Sequence, residues 1–134
     1  MAKAQNNEAN YKVTIISCSK EISAVERIKL KDLSDAVKLN EMVSTEGSVT
    51  LVPAYFAQVH VHNENADDKD YENYVIVDNN GTKYYTGSES LWSAFTNIME
   101  ELTSEGIDEA LPIKVYGLPS KNRAGKDFLT CSLA

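Results

Sequence analysis

Two runs of strand-forming residues meet at Asp78-Asn79-Asn80-Gly81, and no other feature of this 134-residue sequence constrains its fold as tightly. Asn-Gly is the preferred pair where a tight hairpin turn needs positive φ, so YENYVIVDNNGTKYYTG predicts two antiparallel strands. A helix follows at once. In ESLWSAFTNIMEEL, Leu91, Trp92, Phe95, Ile98, Met99 and Leu102 recur at helical spacing and form one apolar face. Ser88 is the expected N-cap, Glu89 suits the positive end of the helix dipole, and Gly106 stands near the helix end. Beyond it, PIKVYGL and KDFLTCSLA read as a closing pair of strands joined by PSKNRAG.

Upstream of the hairpin the pattern is also extended. Residues 1–10 are polar and predict a flexible tail, which leaves a single domain over residues 11–134. The β-branched run YKVTIISCS predicts a strand. Residues 25–31 alternate, with Ile28 and Leu30 on one face and Arg27, Lys29 and Lys31 on the other. That alternation predicts a half-buried strand with a basic outer row. Residues 32–47 predict a loop with one helical turn at most. SVTLVPAYFAQVHVH predicts one long strand with Val49, Leu51, Tyr55, Ala57, Val59 and Val61 on one face, Pro53 marking an edge or bulge. Several strands, one helix and two closing strands together predict a mostly-β domain. The expected architecture is an OB-type barrel of five or six strands with the amphipathic helix before the last two. An open β-sandwich or an α+β roll is the alternative.

Charge narrows the choice of partner. The net charge is −7, which opposes generic polyanion binding at long range. The acid is concentrated, however. Residues 64–72 carry −4, and residues 89–109 carry −6 through Glu89, Glu100, Glu101, Glu105, Asp108 and Glu109, so the rest of the chain is mildly basic at +3. Cys18 and Cys131 are the only cysteines, and with no apolar leader they read as free thiols of a reducing, cytoplasmic compartment. No apolar run reaches the roughly 18 residues of a membrane span.

Motifs for chemistry are missing. The sequence has no Walker loop, GxGxxG, GxSxG or CxxC. His60 and His62 share one strand face, but zinc needs further ligands, and none is evident in the sequence; a polar strand face is the expected reading, with no metal. Cys131 falls on the same face as Leu129 and Leu133, which predicts a core thiol. No enzyme activity and no cofactor are expected.

What remains is rings beside cations on outward strand faces. Lys126, Phe128, Thr130 and Ser132 share one face of the last strand, and Lys114 and Tyr116 oppose Ile113 and Val115. Phe56, Gln58, His60 and His62 make the mixed face of the long strand. With Arg27, Lys29 and Lys31, these residues are the combination a single-strand binder needs, because cations follow phosphates and rings stack on bases of any sequence.

The C-terminal part, residues 48–134, resembles the small single-stranded-DNA-binding proteins of phages, including those of the phi29-like group. The matching features are the hairpin VDNNGTKYYTGS, the helix ESLWSAFTNIMEEL directly after it, and the strand–turn–strand IKVYGLPSKNRAGKDFLTCSLA. The resemblance implies an OB fold, no cofactor, and coating of single strands during phage or mobile-element replication or recombination. It maps the binding residues onto Tyr116, Lys121, Arg123, Lys126 and Phe128, with replication or recombination proteins, or a second copy of the chain, as further partners. Bacterial-type members of this class end in a flexible acidic tail, whereas this sequence runs from its last strand into CSLA, so the resemblance does not extend to recruitment through such a tail. The alternative function is a protein–protein module, a phage-encoded inhibitor or assembly component, that presents its acidic segments to a basic partner.

Overall fold

The computed structural model describes residues 11–119 and 127–134. The expected tail over residues 1–10 and the candidate cations Lys121, Arg123 and Lys126 lie outside the described residues. In chain order the elements are β1 (Tyr11–Cys18), α1 (Ala24–Lys31), β2 (Val37–Lys38), α2 (Leu39–Glu46), β3 (Ser48–Leu51), β4 (Pro53–Asn63), β5 (Asp70–Asp78), β6 (Lys83–Thr86), α3 (Glu89–Ser104), β7 (Ile113–Pro119) and β8 (Asp127–Leu133). The fold is mostly β, as the patterning predicts, but the described residues form three helices where the sequence predicts one.

The strands form two sheets and do not close into a barrel. One sheet has the order β1-β4-β5-β6-β2, the other β3-β7-β8. β2 pairs in parallel with β6, Val37 opposite Tyr84 and Lys38 opposite Tyr85. At β8, the Ser90 hydroxyl of α3 donates to the Leu129 carbonyl at 2.8 Å.

The hairpin turn forms as its sequence predicts. Gly81 has φ +90°, a conformation that costs a side-chain-bearing residue, and its N–H donates to the Asp78 carbonyl. Asp78 does more than turn the chain. Its buried carboxylate accepts from the Val52 N–H at 2.9 Å and from the Asn80 N–H at 3.0 Å, while the Asn79 N–H donates to the Val52 carbonyl. The turn therefore grips Val52, where the expected long strand breaks into β3 and β4 and passes from one sheet to the other. Pro53, which has no N–H, stands at the break.

Residues 25–31 are the clearest correction. They form a helix, not a strand. Ser23 is a full capping box: its hydroxyl accepts from the Glu26 N–H at 3.2 Å and the Glu26 side chain reaches back to the Ser23 N–H. Asp32 ends the helix, and Lys83 donates to the Lys29 and Asp32 carbonyls there, where a cation suits the dipole. Residues two apart point in different directions on a helix. Leu30 is buried, whereas Ile28 is 69% exposed, so the pair expected to share a core face is split. Residues 37–46, expected as loop, supply β2 and α2, with Leu39 and Val43 buried.

Two apolar layers result. The main core joins both sheets with α2 and α3 through Leu39, Leu51, Ile76, Leu91, Phe95 and Val115, among others. A smaller one lies on the far face of the five-stranded sheet, where Leu30 of α1 and Ile22 meet Val13, Ala57, Val59, Val61 and Val75. α3 begins at its expected N-cap, the Ser88 hydroxyl accepting from the Leu91 N–H at 3.2 Å. It ends at Gly106, φ +73°, where the Gly106 and Ile107 N–H groups return to the Thr103 and Leu102 carbonyls. No helix among the described residues is long and apolar enough to cross a membrane.

Candidate nucleic-acid interface

The outer face of the β3-β7-β8 sheet is where pleat parity brings rings and a cation together. The cross-strand register sets Thr50, Lys114 and Ser132 in one row, Ser48, Tyr116 and Thr130 in the next, and Leu118 opposite Phe128 in the third. The opposite face carries Val49, Leu51, Ile113, Val115, Leu129 and Cys131, all buried, and it is this apolar face that turns the other outward. Phe128 is 41% exposed and Tyr116 is half-buried. The two residues are diagonal neighbours on adjacent strands, positions whose side chains come within reach of one another. Lys114 Nζ lies 5.9 Å from the centre of the Tyr116 ring. Every named side chain of this outer face is a hydroxyl, a cation, a ring or an aliphatic, and none is a carboxylate.

Beside Phe128 opens a groove of about 730 Å³, walled by Asn40 and Ser44 of α2, Gly47, Ser88, Gly117 and Leu129. Among the described residues it is lined by no charged side chain. Parity in the sequence was enough to find Tyr116 and Phe128. Leu118, Ser48, Thr50 and this groove escaped it, because only the sheet register sets β3 beside β7. The alternation of Ser48 and Thr50 with Val49 and Leu51 was the available signal. Leu133, expected in the core, is 52% exposed, because it pairs with Ile113 at the open end of the ladder.

The other sequence candidates lie elsewhere. Arg27, Lys29 and Lys31 sit on α1, over the five-stranded sheet, and make no row with Lys114. Arg27 is engaged with the Ile22 carbonyl at 2.7 Å. Phe56 is half-buried and does not stand free on an outer strand face. It packs edge-on against Phe95, ring centres 4.9 Å apart, and against Trp92 at 5.8 Å, so it belongs to the main core.

His60 stands among acids. The β4–β5 register sets His60 opposite Glu72 and His62 opposite Asp70. Asp70 Oδ1 meets His60 Nε2 at 3.0 Å and His62 Nδ1 at 2.9 Å, and His62 Nε2 reaches Glu64 at 2.6 Å. Asp70, brought in by the register, and Glu64, two residues beyond His62, are thus the histidines' partners, and they make this patch hostile to phosphate. Among the described residues no three such side chains are arranged to hold a metal ion. Hydrogen bonding to Asp70 raises the His62 pKa above its ordinary 6.5, and hydrogen bonding to His62 and His60 lowers that of Asp70 below 3.8. A raised histidine stabilises the fold at pH below 6.5 and loses that contribution as pH rises through its folded value. A lowered aspartate stabilises above 3.8 and loses it as pH falls through its own. The pair therefore contributes most between those two values. The melting-temperature difference between the wild type and His62→Gln should peak near pH 5 and vanish in mild alkali; a difference that grows toward alkali would contradict the assignment.

Cys131 is buried among core residues, and burial pushes its thiol up to about 11, which suits packing and not nucleophilic attack. A comparison of the chain with protein-family models, with curated proteins and with solved structures returns no match.

Proposed function

We propose that this protein is a non-catalytic single-stranded-DNA-binding protein that holds its ligand on the outer face of the β3-β7-β8 sheet. The observation that carries the reading is the uncovered face itself, with Tyr116, Phe128 and Leu118 beside Lys114 and no acid among them. Rings reachable on an outer antiparallel face gain from stacking on unpaired bases, and a duplex hides those base faces. The neutral groove beside Phe128 gives a strand a path off the platform without charge repulsion. The sequence joining β7 to β8 carries Lys121, Arg123 and Lys126 and supplies further cations for phosphates.

The order of elements supports the same reading. The run 48–63 gives β3 to one sheet and β4 to the other, and the hairpin β5–β6, the helix α3 and the pair β7–β8 follow in the expected order. The resemblance to phage single-strand binders then suggests a role in phage or mobile-element replication. The acidic histidine patch and α3 keep the ligand off the rest of the surface.

A fluorescence titration with an oligo-dT strand tests the proposal. Log affinity should fall with log salt by about 0.7 for each phosphate contact, and a duplex of the same length should bind more weakly. Affinity that stays flat across salt, or that favours duplex, would overturn it.

A further inference from the structure

A second recognition surface lies behind α3 and shares no residue with the β3-β7-β8 face. Gly106 reverses the chain after α3, so residues 107–111 run back beside the helix. Between this segment, the C-terminal half of α3 and the start of β4 opens a cleft of about 830 Å³. Its floor is apolar: Phe56, Met99, Leu102, Ile107 and Leu111, with Ile107 39% exposed. Its rim is acidic, Glu100, Asp108 and Glu109 against the lone base Lys20, and Glu101 and Glu105 stand on the same helix end.

The geometry points to a docking cleft for a basic amphipathic segment of a partner protein. Two observations select that occupant. An apolar trough flanked by a helix accepts anchors repeating at i, i+3 and i+4 on an amphipathic helix. Charge complementarity asks for Lys or Arg flanking those anchors, since three carboxylates face one cation, and the same rim repels phosphate and so keeps nucleic acid out. Because the cleft and the β3-β7-β8 face have no common residue, a strand and a partner can be bound at once. The inference stands independently of the DNA-binding reading.

The probe is a synthetic helical peptide of about 12–15 residues, three to four turns, with Leu anchors on one face and Lys on the rest. A scrambled peptide of identical composition is the control for charge alone. Binding to the full chain should shift the backbone amide resonances of Met99, Thr103, Ile107 and Ala110, and the scrambled peptide should bind at least tenfold more weakly. Ile107→Lys, at an exposed position where folding is not at risk, should weaken the amphipathic peptide at least tenfold, and Glu100→Gln with Glu109→Gln should flatten its salt dependence. Phe128→Ala should leave peptide binding unchanged. Equal binding of the two peptides, shifts confined to other residues, no binding of either, or perturbation of the same amides by self-association of the chain alone would each overturn the proposal.

Discussion

Phe95→Ala should destabilise the fold by about 3–5 kcal/mol, the range for deleting a buried ring and leaving a cavity. Phe95 is fully buried at the junction of both sheets. It meets Phe56 of β4 edge-on at 4.9 Å and lies nearly parallel to Trp92 at 5.5 Å, while Trp92 stacks on Tyr74 of β5 at 4.8 Å. Removing the ring unseats β4 and β5 from α3 together, so the surrounding side chains have little room to collapse into the void. Against a typical stability of about 5–15 kcal/mol, that is a large fraction of the whole. Urea unfolding monitored by circular dichroism should show the midpoint falling with the slope unchanged. A loss under about 1 kcal/mol would mean that α3 does not close the core. Oligo-dT affinity per folded molecule should not change, because Phe95 faces away from the outer face of the β3-β7-β8 sheet.

Phe128→Ala should do the reverse. Its ring is 41% exposed on β8, opposite Leu118 and diagonal to Tyr116, so truncation leaves no cavity and melting should barely move. Base–ring stacking is worth about 1–3 kcal/mol per base by alanine substitution. Affinity for oligo-dT should therefore drop roughly tenfold or more, at 1.4 kcal/mol per factor of ten. Tyr116→Ala should act in the same direction, and the double variant should retain little beyond the salt-sensitive contribution of the lysines. A Phe128→Ala protein that melts early yet binds normally per folded molecule would place the ring in the fold and remove it from the interface.

The sequence by itself determined what rests on neighbours in the chain. Asp78 through Gly81 specify a turn because only certain residues accept positive φ. Ser88 through Gly106 specify a capped amphipathic helix because both caps and the apolar stripe are local. Leu129 and Cys131 turn Phe128 outward because strand parity is local too. The capping box Ser23-x-x-Glu26 was equally legible and marks α1, but the alternation of residues 27–31 matched the period of a strand, and over so short a span the two periods compete. Tertiary structure alone decided the rest. Nothing local sets Asp70 beside His60 and His62; that follows from the β4–β5 register. Nothing local says that Phe56 meets Phe95, because parity gives a face and not what covers it. The division of the strands between two sheets is of the same kind: that β2 pairs with β6 and β3 with β7 is fixed only when the whole chain has packed.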